Sequence, residues 1–212
     1  MDSKFMKTPQ RHSPITFPGR AIRTDPRDNM EIVLEYEDEG EAPWLVDLSH
    51  LPKWNLQGEN LSSLSPGNLP MPPETLDCTQ EANHLITRVK TNWAMIWDLS
   101  GRNADRFDDF ACTDVTEAYA MLAVIGRHTF AIMEKVTNLD LTDPTRKPPF
   151  LQLGPVLHVR TQTVVLDRDS DTPAVIIAAA RGYGQCMAEA LLEAGAEWNL
   201  RPAGESVFTR LI

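Results

Sequence analysis

The organisation of the chain is clearest in the stretch Leu45-Val46-Asp47-Leu48-Ser49-His50-Leu51-Pro52-Lys53-Trp54-Asn55-Leu56-Gln57-Gly58. It predicts a strand, a turn with the pattern Asp-apolar-hydroxyl, and a second strand that leads to a glycine. The stretch over residues 113–128 repeats this order. Asp47 precedes Gly58 by eleven residues, and Asp114 precedes Gly126 by twelve. The pattern therefore predicts a duplicated unit of the split βαβ type.

Apolar and alternating runs predict further elements on either side of these units. The strands expected outside the first unit cover residues 93–97, 119–125, 156–166 and 173–179. Helical spacing is found over residues 127–137 and 185–194, and Gly195 is well placed to end the second helix. Several strands lie too close in sequence for a crossover helix. The pattern therefore favours an antiparallel α+β fold over a doubly wound parallel sheet.

Proline-rich stretches divide the chain. Prolines interrupt any periodicity in the first forty residues, although Ile32-Val33-Leu34 is a candidate edge strand. Two more clusters of breakers, over residues 62–73 and 142–149, predict long loops. We therefore expect an extended N-terminal arm over residues 1–43 and one folded domain over residues 44–212.

Composition excludes several classes of function. The net charge of −10 argues against a nucleic-acid partner, which requires clustered Lys and Arg. No apolar run approaches the roughly 20 residues of a membrane span, and the N-terminus has no apolar signal region. The three cysteines form no CxxC pair, and the five histidines have no ligand spacing. We therefore expect a cytoplasmic protein with reduced thiols, without a metal site and without a membrane partner.

Three stretches resemble one family. Residues 45–58 resemble the Asp-x-Ser-His…Gly stretch near the start of the T-protein aminomethyltransferases of the glycine cleavage system. Residues 114–126, with the following helix and Leu139-Asp140-Leu141, resemble a segment shared with the gamma subunit of heterotetrameric sarcosine oxidase. Residues 190–204 are similar to the leucine-rich helix and glycine-bearing turn of the same superfamily. The order of the three stretches follows that of the family.

The resemblance implies duplicated ferredoxin-like antiparallel units with tetrahydrofolate in a central hole. It also implies protein partners in a larger complex and a role in one-carbon metabolism. The family's loop of paired glycines followed by two aspartates is missing, and so is its Tyr-Thr-Gly-Glu turn. We therefore expect a subunit that is not catalytic by itself. The alternatives are a ligand-free assembly protein on the same scaffold and a stand-alone aminomethyltransferase.

Five residues are candidates for the site that the resemblance implies. Asp98 is the candidate carboxylate for one-carbon transfer, and the alternative is an Asp that caps a turn. Trp93 and Trp97 share a face of a strand and could stack on a pterin ring, or pack in the core. Arg181 is a candidate for the glutamate tail of folate, or an ordinary surface Arg, and Tyr183 beside it is the remaining cofactor-binding candidate.

The neighbours Asp47, Ser49 and His50 also suggest a hydrolase triad. On an extended chain Asp47 and Ser49 share one face, and His50 points to the other. The three residues therefore cannot form a relay by themselves.

Overall fold

The computed structural model describes residues 10–102, 107 and 112–212. These residues form an α+β fold that consists mostly of strands. The strands are β1 (Ala21–Arg27), β2 (Met30–Tyr36), β3 (Trp44–Asp47), β4 (Lys53–Gln57), β5 (Cys78–Glu81), β6 (His84–Lys90), β7 (Trp93–Asp98), β8 (Cys112–Asp114), β9 (Tyr119–Ile125), β10 (Phe150–Val156), β11 (Val159–Asp167), β12 (Ala174–Ala180) and β13 (Arg201–Ala203). The helices are α1 (Thr129–Glu134), α2 (Gly184–Ala194) and α3 (Glu205–Thr209).

The strands form three sheets. A six-stranded sheet has the order β10-β11-β12-β9-β3-β13, and a five-stranded sheet has the order β5-β6-β7-β4-β8. The hairpin β1-β2 forms a sheet of its own. The strand pairs are antiparallel, apart from β13 with β3. The antiparallel α+β class expected from the sequence is confirmed.

Strand β9 is buried on both faces of the six-stranded sheet. Leu122 and Val124 pack with α1 and α2 on one face. Met121 and Ala123 belong to the core that the two large sheets share with α3. A strand buried on both faces reads as a continuous apolar run, which explains why its bounds could be predicted from the sequence. A third core lies on the outer face of the five-stranded sheet, around Trp54 and Ile96.

Residues 10–40 differ from the extended arm expected over residues 1–43. Strands β1 and β2 form an antiparallel hairpin, and Ile32-Val33-Leu34 lies in β2. The hairpin is fixed to the end of the chain, because a Glu39 carboxylate oxygen accepts N–H groups of Tyr36 at 2.9 Å and Gly204 at 2.7 Å. Residues 1–9 lie outside the described residues.

Other predicted elements are found with changed bounds. The expected helix over residues 127–137 is shorter and becomes α1, whereas α2 begins one residue before the prediction. The expected strand over residues 156–166 is part of a hairpin, in which Val156 ends β10 and β11 begins at Val159. No helix in the described part of the chain is long and apolar enough to cross a membrane.

Candidate functional site

Three turns of the same kind follow the ends of β3, β7 and β8. In each, a carboxylate oxygen of the last strand residue accepts the backbone N–H two residues further on. Asp47 accepts from Ser49 at 2.9 Å, Asp98 from Ser100 at 2.8 Å, and Asp114 from Thr116 at 2.8 Å. The sequence pattern predicts the turns at Asp47 and Asp114, and the turn at Asp98 is the alternative given for that residue. Short acidic side chains favour such turns because they replace a backbone acceptor.

A cleft of about 430 Å³ lies against these turns. The turns contribute His50, Pro52, Gly101 and residues 114–118 to its wall. The N-terminal segment closes the opposite side with Arg11, Arg27, Asp28 and Ile32. The volume is within the usual range of small-molecule sites. The cleft therefore depends on the hairpin β1-β2 as much as on the two large sheets.

A buried carboxylate joins the two sides of the cleft. Glu205, at the start of α3, is only 2% exposed. It accepts hydrogen bonds from Arg27 at 2.8 and 2.5 Å and from Nε2 of His50 at 2.7 Å. Burial by itself raises the pKa of this carboxyl, but the bonds from His50 and Arg27 together outweigh burial and hold the pKa at about 2. Glu205 is therefore ionised at neutral pH.

The contact with Glu205 fixes the orientation of His50. Since Glu205 is ionised and can only accept, Nε2 carries the proton of this hydrogen bond. The His50 side chain is only 6% exposed. Among the described residues, no group bonds to Nδ1. An imidazole that a buried carboxylate holds in place is thus part of the cleft wall.

Lys53 supports the turn that carries His50. Its side chain is fully buried, and Nζ donates to the carbonyl oxygens of Ser49 at 3.0 Å and Leu51 at 2.6 Å. These carbonyls flank His50 in the chain. Burial lowers the pKa of Lys53 to about 7, although carboxylates such as Asp47 oppose the shift. The two hydrogen bonds from the Lys53 amino group hold the two sides of the turn in place.

At the rim of the cleft, the carboxylate of Glu117 forms ion pairs with two arginines. It accepts from Nε of Arg11 at 2.9 Å, and its other carboxylate oxygen lies 3.0 Å from Nη1 of Arg181. Arg11 also pairs with Asp28. The ion pair with Glu117 thus places Arg181 at the rim of the cleft. Arg181 also donates a hydrogen bond to the carbonyl of His12.

The other candidates lie elsewhere. Asp98 is 2% exposed, and one of its oxygens accepts both the N–H and the hydroxyl of Ser100, at 2.8 and 2.6 Å. It adjoins a different cleft, of about 380 Å³, with His84 and Thr209. The fully buried Trp97 packs between the two large sheets, and Trp93 packs against the same core. Tyr183 is exposed in a single turn before α2.

The structure therefore does not bring these five residues to one site. Trp93, Trp97 and Asp98 follow one another along β7, whereas Arg181 and Tyr183 precede α2. The geometry of Asp98 is that of the turn cap, and the geometry of Trp97 is that of a core residue. The ligand-binding and transfer roles assigned to the five residues remain predictions.

The residues that meet around Glu205 could not be recognised from the sequence pattern. His50 and Glu205 are 155 positions apart, and Arg27 and Glu205 are 178 apart. Lys53 opens an alternating strand pattern, where a lysine usually points to solvent. Pattern analysis finds neighbours along the chain, so it could not bring these three segments together.

The chain was compared with known protein families, sequences and structures. No family model matches the chain, and no curated protein matches it in sequence. Among solved structures it is similar to a chain of the heterotetrameric sarcosine oxidase from Corynebacterium sp. U-96, solved in complex with pyrrole 2-carboxylate. The TM-score is 0.58 at 10% identity, and the match covers 73% of this chain and 84% of that chain. This chain therefore shares the fold of a chain of that heterotetramer.

Proposed function

We propose that this chain is a subunit of a multi-subunit cytoplasmic complex in tetrahydrofolate-linked one-carbon metabolism, and that it is not catalytic by itself. The observation that carries the proposal is the fold similarity to a chain of a sarcosine oxidase heterotetramer. The matched region is a larger share of that chain than of this one, so that chain is the shorter of the two. The common fold thus makes up most of one subunit in an assembly.

The same proposal includes the internal organisation of the fold. The repeated order of strand, Asp turn and strand around Asp47 and Asp114 supports a duplicated pair of ferredoxin-like units, although turns of the same type also follow β7 and β11. On this view residues 44–212 are a folate-binding-fold domain of the T-protein type. Residues 1–43 precede it and contribute the hairpin that closes the cleft.

The arrangement of Asp98 supports a subunit without transfer chemistry. A carboxylate that assists one-carbon transfer must reach the reacting nitrogen. Here one oxygen of Asp98 accepts two bonds from Ser100 within its own turn, and the side chain is 2% exposed. The paired-glycine loop with two aspartates that the family uses is also missing from the sequence. The chain can therefore bind folate without transferring a one-carbon unit to it.

Titration with tetrahydrofolate tests the ligand in this proposal. The chain contains five tryptophans, so bound folate is expected to quench the intrinsic fluorescence at micromolar concentration. The titration is done on the isolated chain and on the chain purified with its partners. Lack of quenching in both samples, at concentrations well above micromolar, would remove folate from the proposal.

A ligand-free assembly protein is the second candidate. The observation that favours it is the packing of Trp97, whose ring is fully buried between the two large sheets and cannot stack on a ligand. This candidate predicts a stable complex whose fluorescence does not respond to tetrahydrofolate. The two candidates therefore differ in the titration and agree on the partners.

A further inference from the structure

We propose that residues 10–17, the strap, form a lid over the candidate cleft, and that the side chain of Gln185 is the latch of this lid. The strap opens as one unit while the two large sheets stay folded. This lid goes beyond the proposed function, because it controls access to the cleft whether or not the chain binds folate or assembles with partners.

The strap lines both the cleft and a second cavity of about 360 Å³. The two cavities share the side chains of Ile32 and His50 as a common wall. Arg11 of the strap belongs to the wall of the cleft. The second cavity is lined by residues 10, 12, 13, 15, 16 and 17 of the strap. Opening of the strap therefore joins the two spaces and exposes their common wall to solvent.

A side chain, rather than a neighbouring strand, holds the backbone of the strap. The carboxamide of Gln185, at the start of α2, bonds to both backbone groups of Thr16. Its Oε1 accepts the N–H at 2.7 Å, and its Nε2 donates to the carbonyl at 3.3 Å. Among the described residues, one backbone hydrogen bond ties the strap to the fold, from the N–H of Arg11 to the carbonyl of Asn29 at 2.9 Å. Gln185 thus takes the place of a strand partner in the second half of the strap.

The first half of the strap is held by polar contacts. They are Arg11 with Asp28 and Glu117, Ser13 with Asp47, and the carbonyl of His12 with Arg181. The side chains of Asp28 and Glu117 are 64% and 50% exposed. Exposed ion pairs contribute little to stability, because water and salt screen the charges. The ion pairs of Arg11 therefore orient the strap and add little resistance to its opening.

The apolar anchors of the strap are few. Ile15 and Phe17 are 5% and 7% exposed and pack in the core around α1 and α2. Strand β9, in contrast, is buried on both faces and pairs with β12 on one edge and with β3 on the other. Segments with few buried apolar side chains and little backbone pairing open at a lower free energy than core strands. The strap is therefore expected to open before either large sheet does.

Gly19 follows the strap and precedes β1. Its φ is 123°, a value that residues with a side chain rarely adopt. A Cβ there would lie 3.5 Å from Cδ1 of Tyr36, which is an ordinary van der Waals contact. Backbone conformation, rather than close packing, thus requires glycine at this position. Residues at the ends of elements absorb the φ and ψ changes of lid movements, and Gly19 lets the strap move while β1 stays paired with β2.

Amide hydrogen exchange of the full chain, followed by NMR, tests the lid. The N–H groups of Arg11, Ile15 and Thr16 all donate hydrogen bonds in the closed strap. We expect the three to exchange with one common opening constant, well above that of the amides in β9. Gln185→Ala is expected to raise this constant about tenfold for all three. Exchange of the strap as slow as that of β9, or an effect of Gln185→Ala that is absent or confined to Thr16, would overturn the proposal.

The matched control is Gln152→Ala. Gln152 in β10 also bonds to the backbone through its carboxamide, to the carbonyl of Asp140 at 3.1 Å. This contact lies outside the strap, so the substitution is expected to leave the opening constant of the strap unchanged. An equal acceleration in both glutamine variants would overturn the role of Gln185 as the latch.

Thiol labelling measures access to the cleft. Ile32→Cys places a thiol in the wall that the two cavities share, and peptide mass spectrometry follows its reaction with a maleimide. Adding Gln185→Ala is expected to speed this labelling about tenfold, whereas adding Gln152→Ala should leave the rate unchanged. Equal rates with and without Gln185→Ala would overturn the lid. If Ile32→Cys does not fold, the exchange measurements decide, since they need no change in the wall.

Discussion

Nε2 of His50 lies 2.7 Å from Oε1 of Glu205, although the two residues are 155 positions apart. The same carboxylate receives two hydrogen bonds from Arg27 of β1. Three distant segments, the N-terminal hairpin, the turn after β3 and the helix α3, thus meet at one buried charge. Removing one partner of such a pair leaves the other uncompensated, which is the costly case for buried ions. The cluster therefore determines both the closure of the cleft and the stability of the chain ends.

Glu205→Gln is expected to destabilise the protein and to change its response to acid. The pKa of Glu205 is about 2 in the folded state, below the ordinary value of 4.5. The stabilisation is therefore complete above pH 4.5 and is lost as the pH falls from 4.5 towards 2. Urea unfolding at pH 7 is expected to show a loss of about 3 kcal/mol in the variant.

The control for Glu205 is Glu197→Gln. Glu197 is 55% exposed and pairs with Lys135 at the surface, so its loss is expected to cost less than about 1 kcal/mol. Between pH 4.5 and 2, the unfolding free energy of Glu205→Gln should fall less steeply than that of the wild type. An equal slope in the two proteins would show that the carboxylate is not held in its ionised form.

The lowered pKa of Lys53 predicts that the free energy of unfolding increases with pH. Its folded pKa is about 7 and its ordinary value is 10.5, so between these values the unfolded chain binds more protons. The free energy of unfolding should then rise with pH, by up to about 1.4 kcal/mol per unit. Measurements between pH 7 and 8.5 avoid Cys78 and Tyr36, whose pKa values burial raises from 9.0 and 10.0.

The comparison for Lys53 uses two substitutions of the same kind. Lys53→Met is expected to remove the rise in unfolding free energy between pH 7 and 8.5. Lys135→Met changes a partly exposed lysine and should leave the rise intact. A wild-type protein with a flat profile in this window would contradict the lowering of the Lys53 pKa by burial.

Gly101→Ala tests the close packing around the buried ion pair. Gly101 has a φ of 65°, and a Cβ there would come within about 3.0 Å of Arg27, Glu205 and Leu51. We expect a loss of roughly 1–3 kcal/mol in unfolding free energy. Gly182→Ala is the matched control, since a Cβ at Gly182 meets nothing within 4 Å, and its effect should stay within about 0.5 kcal/mol. Equal tolerance of both substitutions would contradict this packing.

Two substitutions of Asp98 separate a turn cap from a catalytic carboxylate. Asp98→Asn keeps an oxygen that can accept the N–H of Ser100, whereas Asp98→Ala removes it. If the residue only caps the turn, the Ala variant should lose about 1 kcal/mol of stability and the Asn variant clearly less. Any tetrahydrofolate-dependent activity of the assembled complex should survive in the Asn variant. Its loss there would assign Asp98 the transfer role after all.

The strands that could be predicted are those whose environment is uniform along their length. Residues 119–125 and 173–179 are apolar because β9 and β12 are buried on both faces. Strand β6 escaped prediction because Arg88 interrupts its apolar pattern. This arginine is only 6% exposed, and its guanidinium donates to the carbonyls of Pro72 and Pro73. A buried charge that is held by backbone carbonyls cannot be distinguished from a surface charge in the sequence.

The pairing of β1 with β2 in a hairpin was not predicted, for a different reason. Its turn residues Asp28 and Asn29 have φ values of 45° and 58°, as a two-residue hairpin turn requires, but the pair is a weaker signal than Asn-Gly. The pairing with α3 through Arg27 and Glu205 is tertiary and left no local pattern. The alternation assumed for Asp47, Ser49 and His50 does not apply, because β3 ends at Asp47 and the other two residues lie in the turn that follows. In this turn Ser49 accepts the N–H of Met121, whereas His50 contacts Glu205.

The most direct test of the proposed function is native mass spectrometry of the tagged chain, isolated gently from its own cells. We expect one heteromeric assembly of defined stoichiometry, in which this 23.8 kDa chain is bound to different subunits. Dissociation in solution should release the chain intact, and recombination of the separated subunits should restore the same mass. A monomer or an assembly of identical copies, with no other subunit, would contradict the role of this chain as a subunit of a heteromeric complex.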